Sequence, residues 1–174
     1  FDILRVKKNK GYGYGILSGL NQIKEYDVIG WTHADLQTDI FDLVKAKNIY
    51  EEHGLNCFVK GRRVGRPIAD SFFSLGMSIF ESILFTKFLW EINAQPTLFP
   101  SSFFKLWADP PSDFSLDLYS FILAKRNNLK IFRFPVHFHK RIHGHSSWNI
   151  DFKSKYKFIK RTLDYSFQLK RNLN

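Results

Sequence analysis

Short apolar runs of strand type alternate along this chain with longer runs at helical spacing, and no other feature restricts the fold as strongly. "DILRV" (2–6) reads as a short strand, followed by the turn "NKGYGYG" and a helix from about Ile16 to Glu25. "DVIGWTHADL" (27–36) reads as a strand running into a loop, and "DIFDLVKAKNIYEEHG" (39–54) as a helix stopped by Gly54. "NCFVKGRR" (56–63) is strand-like, and a long helix over 71–90 follows. "PSDFSLDLYSFILAKRNNLK" (111–130) has helical periodicity, whereas "KIFRFPVHFH" (130–139) alternates like a strand. Strands alternating with helices predict an α/β sheet with parallel pairs, whose ligands bind at the carboxyl ends of strands. The chemistry is therefore expected after Val6, around Asp35, and near Lys60 to Arg63.

Composition narrows the class. With 174 residues, 44% of them hydrophobic and 19 of them Phe, the chain can bury one sizeable core. A single cysteine, Cys57, excludes an internal disulfide and fits a reducing compartment. The N-terminal stretch has no signal-peptide pattern, and because the first residue is Phe a processed chain or fragment is expected. The most apolar segment, 71–90, is long enough to span a bilayer, but Glu81 and Lys87 interrupt it, so a buried or half-buried helix is expected. The net charge of +10 favours anionic partners: nucleic acid, acidic headgroups or phosphorylated substrates.

Four motifs carry candidate chemistry. Gly11, Gly13 and Gly15 in "GYGYG" suit either a phosphate loop or a tight turn; the spacing matches neither a P-loop nor a dinucleotide fingerprint. In "THADLQTD", Asp35 sits where a strand-end carboxylate could hold a cation bridging a diphosphate, with His33 and Gln37 two residues to either side. The plainer reading has Asp35 capping a turn and Asp39 capping the next helix. "KGRRVGR" gathers Lys60, Arg62, Arg63 and Arg66 after a strand, either for phosphate oxygens or as a solvated basic loop. The tail 152–174 places Phe152, Tyr156, Ile159, Leu163 and Phe167 on one stripe among basic residues, a helix that could lie on an anionic membrane or pack on the domain.

Taken in order, "KNKGYGYGILSGL", "HADLQTD", "KGRR", "NAQPTLF", "SLDLYSFILAK" and "FPVHFHKRIHGHSSW" resemble the family-two glycosyltransferases of A-type fold, nearest to the dolichyl-phosphate mannosyltransferase and polyprenyl-phosphate glycosyltransferase branch. The resemblance covers roughly residues 3–148. It implies a Rossmann-like, mixed but mostly parallel sheet flanked by helices over 1–149, lacking the N-terminal strands that bind base and ribose, followed by a basic amphipathic helix over 150–174. It further implies an inverting transfer from a nucleotide-diphosphate sugar to a polyprenyl-phosphate or glycan acceptor, with Mg²⁺ or Mn²⁺, peripheral on the cytoplasmic face of a membrane. No nucleic acid is expected under this reading; the alternative is a non-catalytic basic module for anionic membrane or RNA.

The same resemblance assigns roles. Gly11, Gly13, His33, Asp35 and Gln37 fall at the donor diphosphate, with Asp35, Gln37 and His33 as metal ligands. His33 replaces the first Asp of the usual Asp-x-Asp, so it can ligate but adds no charge. Arg62, Arg63, Ser74, Gln95 and Ser146 match the acceptor or phosphate side, although Asp70 stands where the lipid-phosphate enzymes carry an Arg. A phosphate acceptor needs no general base; for a hydroxyl acceptor Asp117 is the candidate, with Asp113 second. Arg141 matches a loop Arg that reaches a phosphate. The histidines His137, His139, His143 and His145 could suggest zinc, but all four fall between the family positions Pro135, Val136, Phe138, Arg141, Gly144 and Ser146.

Overall fold

The computed structural model describes residues 3–35, 37–65, 68–139 and 152–173, side chains at 68–73 and 152–155 excepted. Arg141, His143, His145 and Ser146 lie outside the described residues, as do the side chains of Arg66 and Asp70. Among those described, the chain runs α1 (Tyr12–Leu20), β1 (Val28–Trp31), α2 (Asp42–His53), β2 (Cys57–Val64), α3 (Ile68–Phe85), β3 (Thr97–Pro100), α4 (Ser101–Phe104), α5 (Leu116–Arg126), β4 (Lys130–His137) and α6 (Phe152–Leu173). The result is a mixed α/β fold on one open four-stranded sheet of order β1-β3-β2-β4.

Four expectations need correction. The described residues of "DILRV", 3–6, form no strand: Ile3 is 92% exposed and Leu4 49%, so the apolar side chains that would have to pair and bury stay largely open. The sheet is not mostly parallel. Only β2 and β4 run parallel, because the short β3 inserts between β1 and β2 and pairs antiparallel with both. The basic residues Lys60, Arg62 and Arg63 do not form a loop after a strand; they are part of β2 itself. The helix expected to reach residue 90 also stops early, at Phe85, where Thr86 turns to φ 51. Gly54 ends α2 as expected, at φ 72.

Register explains how the sheet splits its two faces. Trp31 pairs with Thr97, Thr97 with Lys60, and Lys60 with Arg133, so these four form one row across all four strands. Directly paired residues point to the same side, and the residues two positions away point there too. Ile29, Phe99, Phe58 and Ile131 therefore share that face with the row. On it Phe58 stacks on Phe99 and Phe121, and α1, α3, α5 and α6 supply Leu20, Phe85, Leu116, Phe121, Ile122 and Leu169 to one core. Each fully buried aromatic there contributes on the order of 2–3 kcal/mol of transfer free energy. The opposite face carries Cys57, Val59, Phe134 and Val136 against Ala46 and Tyr50 of α2. One face thus pairs an apolar row with a polar row, and α5 lies over both.

The tail helix packs on the domain. Leu169 is buried in the main core, Tyr165 and Leu173 pack against it, and Ser166 donates to Glu81 of α3 at 2.6 Å. Arg161 pairs with Asp113 at 3.1 Å, and Arg126 of α5 donates to the Leu173 carbonyl at 2.8 Å. The expected stripe is rotated away from this contact: Tyr156 is 62% exposed and Phe167 49%. A helix with two apolar stripes buries the one whose small Ser166 permits close approach. No helix among the described residues is long and apolar enough to cross a membrane.

Candidate functional site

The site grows from the polar row. Lys60 is fully buried in β2, and its ammonium donates to Thr97 Oγ1 at 2.9 Å. Above the row, the first turn of α5 presents Asp117, also buried. Asp117 is therefore not an exposed helical carboxylate. Its Oδ2 accepts from the Tyr12 hydroxyl at 3.1 Å and from Asn93 at a long 3.5 Å, while Oδ1 makes no hydrogen bond. Gln95 in turn donates to the Tyr12 hydroxyl, so Gln95, Tyr12 and Asp117 form a chain of donors ending on the carboxylate.

Electrostatics sharpen this arrangement. Burial pushes the Asp117 pKa up, and the nearby Lys60 and Arg63 charges together with the Tyr12 hydroxyl hold it back only in part. The Trp31 indole is close enough to favour the ionised carboxylate, although its N–H closes no hydrogen bond of good geometry. Burial likewise pushes Lys60 down, against the opposing pull of Asp117. Tyr12 moves up for the same reason, desolvation first and Asp117 second. Beside them Arg63 pairs with Glu91 at 2.5 Å, and Arg133 donates to the Trp90 carbonyl while its Nη1 lies buried without a partner.

The glycines place Tyr12. A Cβ on Gly11 would sit 2.9 Å from the Ser112 carbonyl, and one on Gly13 would lie 2.6 Å from the Pro111 carbonyl. Tyr14 N donates to Ser112 at 2.8 Å, and the Tyr12 ring stacks on Phe114 at 4.6 Å. Close approach of α1 to the 111–113 backbone accounts for Gly11 and Gly13, and Gly11 additionally adopts φ 115 as α1 begins. Their effect is to carry Tyr12 onto Asp117.

The strand-end motif forms a second group just beyond Trp31. His33 Nδ1 lies 3.9 Å from Asp35 Oδ1, and that oxygen also accepts from Gln37 N at 3.3 Å. The turn-capping reading of Asp35 therefore holds geometrically, but Asp39 does not cap α2: it accepts from Phe41 N at 2.9 Å in the preceding turn, and α2 starts after Phe41 with no side-chain cap bond. The Gln37 side chain donates to the His139 carbonyl at 3.1 Å, and His139 N returns a bond to the Gln37 carbonyl at 2.8 Å. Gln37 thus ties this loop to the end of β4. His33, Asp35 and Gln37, the expected cation ligands, thus lie together after β1, and Asp35 is the one carboxylate of the three. Among the described residues no group of three His, Cys, Asp or Glu could hold a metal alone.

Of the residues expected on an acceptor side, Arg62 is exposed, Arg63 is held by Glu91, Ser74 is half-buried on α3, and Gln95 is buried beside Tyr12. The structure therefore joins Gln95 to Asp117 and does not join Ser74 to them. Asp113 accepts from Ser115 N at 2.9 Å and pairs with Arg161, which makes it an anchor for α5 and α6. Alternation along β4 holds: Val136 is buried, while His137 and His139 are exposed.

Tyr12, Trp31, Asn93 and Glu91 were not singled out by motif, and Lys60 was singled out only as one of a basic stretch for phosphate, not as a buried partner of Asp117. The signal for Lys60 was present, a lysine two residues from Phe58 within an apolar strand, but period-two alternation only assigns a face and cannot say what covers it. Comparison with protein-family models, curated proteins and solved structures yields no significant match for this chain.

Proposed function

We propose that the chain is the catalytic domain of an inverting glycosyltransferase of A-type fold, moving a sugar from a nucleotide-diphosphate sugar to the hydroxyl of a glycan acceptor. The family assignment rests on the ordered motifs. The observation that carries the chemistry is Asp117: a buried carboxyl, one oxygen of which has no hydrogen-bond partner among the described residues, with a pKa raised by burial, near the end of β1 from which His33 and Asp35 follow. A general base works best with its pKa near the working pH. A polyprenyl-phosphate acceptor would need no such base, so this environment favours a hydroxyl.

In this mechanism the acceptor oxygen bonds to the anomeric carbon as the bond from that carbon to the diphosphate oxygen breaks. The electron pair leaves with the diphosphate, and the hydroxyl proton passes to Asp117 Oδ1. Tyr12 and Asn93 hold Oδ2 and orient the carboxyl, and Lys60 favours its ionised form before transfer. Exposed Asn93 links the carboxyl to the surface and marks the side from which the acceptor enters. Asp35, His33 and Gln37 would hold Mg²⁺ or Mn²⁺, which when bound neutralises charge on the diphosphate. Exposed Arg62 adds a fixed positive charge beyond β2.

Calorimetric titration of nucleoside diphosphates tests the donor half. Binding should require Mn²⁺ and weaken in Asp35→Ala; no binding with any base in the presence of Mn²⁺ overturns the reading. For the acceptor half, Asp117→Asn should lower turnover by about 10²–10⁴-fold, the range for losing a general base. Full activity in that variant would move the acceptor to a phosphate.

A further inference from the structure

A second charged region lies away from Asp117. Lys87 and Phe88, just after α3, face the α5–β4 turn, where Lys125, Asn128, Leu129, Lys130 and Ile131 complete an open cleft of about 440 Å³. Among the described residues none of the three lysines has an ion-pair or side-chain hydrogen-bond partner. Lys125 Nζ sits 5.7 Å from the Phe121 ring, a ring that Arg133 also approaches at 5.1 Å. Burial lowers the Lys125 pKa, and the Lys87 and Arg133 charges lower it further, with no acidic group offsetting them. Three cations gathered without an anion repel one another, and the cleft is stabilised by any anion that enters it.

The cleft also presents an exposed apolar side chain, and a second lies five residues earlier in the chain. Phe88 is 75% exposed within the cleft, and Ile83, near the end of α3, is 73% exposed. Lysine ammoniums beside outward-pointing Phe and Ile side chains match the boundary of a bilayer, where phosphates lie above the acyl chains.

We propose that this cleft binds the phosphate headgroups of anionic phospholipid and docks the Lys87–Phe88 and Lys125–Lys130 edge on a membrane, with Phe88 and Ile83 entering the acyl boundary. The site is distinct from the Asp117 cluster and does not depend on the transfer reading. Its rival on this molecule is α6, whose Lys157 and Lys160 are exposed but whose Lys160 already pairs with Asp164 at 2.8 Å.

Co-sedimentation with phosphatidylcholine vesicles, with and without phosphatidylglycerol, tests the assignment using the whole chain. The wild-type chain should bind the anionic vesicles and not the neutral ones. The Lys87→Glu, Lys125→Glu, Lys130→Glu triple variant should lose about a hundredfold or more in vesicle affinity, the loss expected when three lysines near the surface stop contributing. Its Gln counterpart serves if charge reversal impairs folding, judged by the thermal unfolding midpoint. Phe88→Asp should weaken binding with all lysines in place, and Lys157→Glu with Lys160→Glu should leave it within about threefold, since neither lysine lines the cleft. Three outcomes overturn the proposal: equal binding to neutral vesicles, loss of binding only in the α6 variant, or inorganic phosphate saturating the lysines while vesicles do not bind. A failure to bind nucleoside diphosphate would leave these results unchanged, so the two readings fail separately.

Discussion

At the scale of single residues, Glu81 is the carboxyl most exposed to pH. It is buried between α3 and α6, with Oε1 accepting from Ser166 and Oε2 making no hydrogen bond, and burial raises its pKa to about 7. Over the interval from its ordinary pKa near 4.5 up to about 7, the folded chain keeps a proton that the unfolded chain has released. Stability from this group is therefore fully present below the unfolded pKa and is lost as pH rises through the folded one. At about 1.4 kcal/mol per unit the loss is about 3 kcal/mol. Glu81→Gln keeps an acceptor for Ser166 and removes the titration. Urea denaturation should show wild type weakening relative to this variant between pH 5 and pH 8; parallel pH profiles would remove Glu81 from the account. Asp117 differs in that Lys60, Tyr12 and Arg63 partly offset its burial, which is why it, rather than Glu81, carries the proposed proton transfer.

Among the elements, α6 shows how an amphipathic pattern underdetermines a contact. Its sequence carries one apolar stripe through Tyr156, Ile159, Leu163 and Phe167 and another through Tyr165, Leu169 and Leu173. The second is the one in the core. Leu169→Ala should therefore cost about 3 kcal/mol through the cavity it leaves, whereas Phe167→Ala, half-exposed against Phe80, should cost about 1 kcal/mol. Denaturant midpoints at unchanged slope check the ranking, and a larger loss for Phe167 would mean that α6 docks by its other stripe. Periodicity locates a helix and its stripes; which stripe is buried depends on the partner surface, here the Glu81 side of α3.

For the whole molecule, the site depends on how closely β3 lies against its two neighbours. A Cβ on Gly61 would stand 2.2 Å from the Gln95 carbonyl, and one on Gly30 2.1 Å from that of Thr97. Gly61→Ala should therefore push β2 from β3, separate Lys60 from Thr97, and cost 3 kcal/mol or more, in the range of severe core overpacking (~1–3 kcal/mol and above). Gly76→Ala on α3, with open space at the Cβ, should stabilise by about 0.5–1 kcal/mol. Thermal unfolding of the pair checks the contrast, and equal midpoints would refute the close-packing account. The sequence by itself determined the α/β class, α2 with its Gly54 stop, the strands around Ile29, Val59 and Phe134, and the candidacy of Asp35, because these follow from local period and residue type, whereas Asp117 entered only as what the family resemblance implies. Only the tertiary structure decided that β3 inserts antiparallel, that Lys60 faces inward to Asp117, and that Gly11 and Gly13 serve to deliver Tyr12. Those outcomes depend on register and close approach between segments up to 105 residues apart, which no local pattern encodes.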